Sequence, residues 1–188
     1  MNLQALFDAL LALVALGLAI RGGHCKPAWR LACLLLAAAA TLGALRFSGL
    51  LPMPSLHQFF SMLGAGVGLP LLALAVILPD SQVATQRRFA WIFTISAGTL
   101  CILLVMVAQL KVWTAACALL STFGILMISI KHREMITALG ALLLLLALSA
   151  FAAKIHIPPL LPGDLLHIGM ALGLLALSAG AQRLKPTP

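Results

Sequence analysis

Seven stretches of this sequence, at about 3–20, 29–45, 56–78, 89–110, 112–130, 135–153 and 164–182, run almost without charge. Each is long enough to cross the hydrocarbon core of a bilayer as a helix, which takes about 20 residues. The breaks between them carry Gly, Pro or charge: RGGHCKP, RFSGLLPMPS, PDSQVATQRR, a lone Lys111, KHRE and KIHIPPLLPGD. The pattern predicts an all-α integral membrane protein with seven transmembrane helices, a single polytopic domain over residues 1–188. The run from 89 to 130 is nearly continuous, which puts Lys111 at a tight outer turn. A re-entrant segment there would lower the count to six.

Composition narrows the partners. The chain is 63% hydrophobic and 9% charged, with a mean hydropathy of +1.14, so most of its surface must face lipid. The formal charge of +8 would suggest nucleic acid in a soluble protein. Here the basic residues are scattered over short loops and read as orientation signals, so a lipid bilayer is the expected partner and nucleic acid is excluded. A homo-oligomer or a larger membrane complex is compatible with the same surface. The start, MNLQALFDAL, has no basic segment before its apolar run, and Asp8 interrupts that run, so it is expected to persist as the first span. Cys33, Cys101 and Cys117 fall inside apolar runs and Cys25 in a basic loop. With no CxxC or metal spacing, they are expected to be reduced thiols.

Seven spans sort the basic residues by side. Arg21, Lys26, Arg30, Arg87, Arg88, Lys131, Arg133, Arg183 and Lys185 fall on one face; Arg46, Lys111 and Lys154 fall on the other. Positive charge is retained in the cytoplasm, which predicts the N-terminus outside and the C-terminus inside. With no eukaryotic targeting signal, the expected location is a bacterial inner membrane.

Two short stretches are nearly alike. LLPMPSLH at 50–57 and LLPGDLLH at 160–167 share Leu-Leu-Pro, three variable residues, then Leu-His. The match continues from LHQFFSMLGAGVGLPLLALA to LHIGMALGLLALSAGA, and Arg46 precedes the first motif as Lys154 precedes the second. Helices one to three therefore map onto five to seven, giving a 3+1+3 plan from an internal parallel duplication. The halves are about 1–80 and 111–188, with a connector helix at about 81–110. A shift of four helices keeps both halves in the same orientation, with a pseudo-twofold axis along the membrane normal. This plan resembles the helix arrangement of SWEET sugar transporters and microbial rhodopsins. The chain has neither a Pro-Gln pair in its first or fifth helix nor a lysine inside its seventh, so no function is carried over. The zinc hydrolases related to alkaline ceramidases are a second comparison; they carry HxxxH in the last helix, where this chain has HIGMALG.

Ser55 and Asp164 are natural N-caps, which would put His57 and His167 in the first turns of helices three and seven at similar depths. Arg46, Lys154, His156 and Asp164 belong to the same outer layer. Asp8 joins them about 7 Å below the start of helix one. Four functions follow from this layer. In the first, His57 and His167 are axial ligands of a b-type haem, with Arg46 and Lys154 on its propionates. In the second, His57, His156, Asp164 and His167 hold zinc in a metal-dependent membrane lipid hydrolase, with Asp8 or Asp164 as base. The third is a SWEET-like carrier of a small solute. The last is a structural subunit without a cofactor, its histidines merely interfacial. The symmetry of the two histidines puts haem slightly ahead of zinc.

Overall fold

The computed structural model describes residues 2–21 and 26–181, and only the backbone of Ala181. Cys25, Arg183 and Lys185 lie outside the described residues. Regular structure is helical, apart from an isolated bridge between Ile157 and Leu160. Seven helices are long and apolar enough to cross a membrane: α1 (Leu3–Arg21), α2 (Pro27–Phe47), α3 (Pro54–Ile77), α4 (Arg87–Val107), α5 (Val112–Lys131), α6 (Met135–Ala152) and α7 (Pro162–Ala181). The chain has the build of a multi-pass membrane protein. Large apolar side chains point outward where water would penalise them, among them Leu13, Val107 and Leu120 at 70% exposure or more.

The break at Lys111 is a short turn. Gln109 takes a left-handed conformation (φ 56°) and the Leu110 amide reaches back 2.8 Å to the Leu104 carbonyl. Two full spans therefore flank it. Arg133 and Lys154 also sit in left-handed conformations just beyond α5 and α6, where their charge complements the helix dipole.

Packing follows a closed circuit. α1 lies against α2, α2 against α3, α3 against α5, α5 against α6, α6 against α7, and α7 against α1. α4 stands outside it, against α2 and α3. In lipid, close approach of helices takes the place of the hydrophobic drive, so small residues line the tightest seams. At Gly140 of α6 an added Cβ would lie 2.7 Å from the Leu177 nitrogen and 2.8 Å from the Gly173 oxygen of α7. The two backbones meet there.

α3 is not a uniform helix. Over Gly64–Gly68 it widens into a π-turn, and α4 does the same over Leu103–Val107. The first of these turns packs against α2, α4 and α5. Pro70 follows it directly. Such turns interrupt the regular i, i+4 ladder and are frequent at working sites.

The starts of α3 and α7 differ from the expected capping. Pro54 opens α3 behind Met53, which makes no side-chain cap, so Ser55 lies inside the helix. Pro162 opens α7, and Asp164 two residues in accepts the Leu161 amide at 2.8 Å. That is the backward half of a capping box, not an N-cap. As a consequence His57 lies three residues inside its helix and His167 five inside its own. The offset makes His167 about 3 Å deeper, at 1.5 Å per residue.

Candidate functional site

Four helices bring the ionisable side chains together at one end of the bundle. Asp8 of α1 is completely buried, with Oδ1 3.1 Å from His167 Nδ1 of α7. The pair is close but out of line. Neither Asp8 oxygen nor His167 Nδ1 has an aligned hydrogen-bond partner in the protein. A wholly buried carboxylate without donors carries a large desolvation cost, and within a membrane such a group marks a functional site by default. Its place depends on Gly43 of α2, where an added Cβ would come within 2.6–2.7 Å of the Asp8 carboxyl atoms.

Three other groups surround the pair. Asp164 is 1% exposed; one oxygen holds the Leu161 amide and Oδ1 is unpartnered. Asp164 and Arg46 are both near enough to act on the charge of Asp8. His57 of α3 places Nδ1 3.1 Å from the Ala39 carbonyl of α2 and lies within electrostatic range of His167. Its ring meets Phe47 edge to face, and the Arg46 guanidinium covers the other ring's face at 5.0 Å from its centroid. Because a carbonyl only accepts, His57 Nδ1 donates, which leaves Nε2 with its lone pair.

The remaining expected residues lie elsewhere. Lys154 and His156 are exposed in the loop between α6 and α7. Among the described residues no three His, Cys, Asp or Glu side chains form a ready ligand set. Two contributors went unnoticed in the sequence: the Ala39 carbonyl, which has no sequence signature, and Gly43. The pairing of Asp8 with His167 was equally hidden, although an acidic residue alone in an apolar run was itself a signal.

The profile that matches this chain spans residues 3–186. The chain belongs to a family of unknown function, DUF6962. No curated protein and no solved structure matches it. In this DUF6962 protein the arrangement offers one imidazole whose Nδ1 is held by a carbonyl, a second with a buried carboxylate beside it, and another carboxylate with an unpartnered oxygen. That donor set suits either a metal ion or the transfer of a proton.

Proposed function

We propose that this protein is a metal-dependent membrane hydrolase; His57 Nε2, His167 Nε2 and Asp164 Oδ1, which form no ready ligand set as they stand, would have to shift together to hold a zinc-like ion. The observation that carries the reading is what each Nδ1 faces: His57 Nδ1 is bonded to the Ala39 carbonyl, and His167 Nδ1 lies 3.1 Å from Asp8 Oδ1 without an aligned hydrogen bond. Ligating histidines characteristically turn their second nitrogen onto a carboxylate or a backbone carbonyl. Held by those three side chains, an ion would leave a position for water and would supply its activation.

Asymmetry argues for an ion over a b-type haem. The haem reading rests on two equivalent histidines. His57 and His167 differ in their position along their helices and in what faces their Nδ1 atoms, and Lys154 is too exposed to be matched with Arg46 as a propionate partner. The carrier reading still lacks a polar midplane. A second reading keeps the hydrolase without the metal: His167, oriented by Asp8, would act directly as the general base. It is favoured by the absence of a ready three-residue ligand set among the described residues.

The duplication belongs to this proposal as well. Exchanging α1, α2 and α3 with α5, α6 and α7 converts the α1–α2, α2–α3 and α3–α5 contacts into α5–α6, α6–α7 and α7–α1, and all six contacts occur. The basic residues described at the ends of α1, α5 and the starts of α2 and α4 support a cytoplasmic face there, hence an outer-facing site in a bacterial inner membrane.

Metal analysis and an oxidised-minus-reduced visible spectrum, taken on one purified sample, test the reading. About one zinc per chain and no Soret band are expected. A Soret band that shifts on reduction would restore haem. Hydrolytic activity with neither metal nor haem would leave Asp8 and His167 as a metal-free base pair. Gly43→Ala offers a finer check, since its methyl must push the Asp8 carboxylate off His167. Zinc affinity, measured by competition with a chelator, is expected to drop roughly 10-fold or more, the order for displacing a carboxylate from behind a ligating histidine.

A further inference from the structure

Below the polar site, on the α4 side, lies an apolar crevice of about 210 Å³ between α2, α3 and α4. Leu35, Leu63, Val67, Thr94, Ile95 and Gly98 line it. It exists because α4 stands outside the helix circuit and Gly98 presents no side chain towards Leu63, whose Cδ2 would be 3.9 Å from an added Cβ. The Thr94 hydroxyl is spent on the Ala90 carbonyl at 2.8 Å, so it offers the crevice no free donor. Ile95 is 64% exposed, which opens the crevice sideways to lipid.

Depth ties the crevice to the site. Leu35 lies one helical turn below Ala39, whose carbonyl holds His57, and Leu63 lies six residues below His57 on α3. Those separations are about 6 and 9 Å along the helix axes. Going inward from the membrane surface, a ligand would thus meet Arg46 and the histidines first and an apolar slot second. We infer that the substrate is a phospholipid, its acyl chain in the α2–α3–α4 crevice and its phosphate on the Arg46 side of the site. The order of groups matches such a molecule, the arginine supplies the counter-charge, and an apolar slot open to lipid gains dispersion contacts only when a chain fills it. This inference rests on the outer-end cluster being the reaction site.

The test uses the full chain in phosphatidylcholine nanodiscs containing a phosphatidylcholine with a photoreactive diazirine in mid-chain. Labelled residues are mapped by mass spectrometry and zinc is measured on the same samples. Label is expected to concentrate on Leu35, Leu63 and Ile95 over Leu120, which faces lipid on α5. Gly98→Leu should lower crevice labelling roughly fivefold, the order expected for lost contact with one or two methylenes, and leave zinc unchanged. Gly98→Ala, whose methyl fits, should give a smaller loss in the same direction and serves if the leucine variant does not fold. Arg46→Gln should also reduce the labelling, by releasing the phosphate. Crevice labelling no stronger than that of Leu120, or undiminished in both Gly98 variants, overturns the inference. Strong crevice labelling without zinc supports the chain site and removes the metal reading; zinc without crevice labelling does the reverse.

Discussion

His167→Ala is expected to leave the purified protein with less than about a tenth of its zinc, because it removes both a ligand and the group that Asp8 supports. His57→Ala should have a comparable effect on zinc, since two ligands do not hold the ion against buffer. Asp8→Asn is the more informative variant. It keeps the volume beside Gly43 and the hydrogen-bonding capacity, but not the charge that favours Nδ1 protonation on His167. A roughly 10- to 100-fold weaker affinity is expected, the range for loss of a carboxylate behind a ligating histidine. His156→Ala and Lys154→Ala, on exposed loop residues, should match the parent. Chelator competition on the five variants reads all of these. Loss of zinc in His156→Ala with none in His57→Ala would assign the ion to different residues and end the proposal in this form.

Gly140→Leu should be the most damaging single change in the membrane core. Its first carbon alone would lie 2.7 Å from the Leu177 nitrogen and 2.8 Å from the Gly173 oxygen. Both are backbone atoms, so no side-chain rotation can relieve the clash, and α6 must separate from α7. Overpacking of this kind costs on the order of 3 kcal/mol, and the separation also forfeits the packing that replaces the hydrophobic drive in lipid. Unfolding in mixed micelles on denaturing detergent, followed by circular dichroism, should show a midpoint well below the parent's. Gly140→Ala should fall between them. Gly17→Leu is the control: nothing lies within 4 Å of a Cβ there, so its midpoint should stay near the parent's. A parent-like midpoint for Gly140→Leu would mean that α6 and α7 do not touch as described.

The seven spans were readable because each is a long apolar run closed by Gly, Pro or charge, signals that act locally. Even the break at Lys111 needed only four residues. Depth was less legible. The two Leu-Leu-Pro motifs look equivalent, yet Pro54 restarts the chain in the first, and proline favours the first helical position, so α3 begins two residues later than the motif implies. The π-turn at Gly64–Gly68 depends on neighbours on α2, α4 and α5, which no local pattern encodes. Asp8 and His167 were both recognised as outer-layer groups, but their meeting depends on helix rotation. Apolar periodicity fixes rotation only where one face differs from the rest, and α1 and α7 are apolar nearly all round.

α4 contributes little to the circuit, yet it has a consequence through parity. Each crossing reverses the direction of the chain, so α5, α6 and α7 run as they do only because one additional crossing precedes them. Excising Arg87–Lys111 would leave every residue of the Asp8–His167 cluster in place in the sequence and would turn the last three helices upside down. Asp8 and His57 would remain at one membrane surface, and Asp164 and His167 would arrive at the other, a bilayer's thickness away. A helix outside the circuit thereby decides whether the carboxylate and the imidazole can meet.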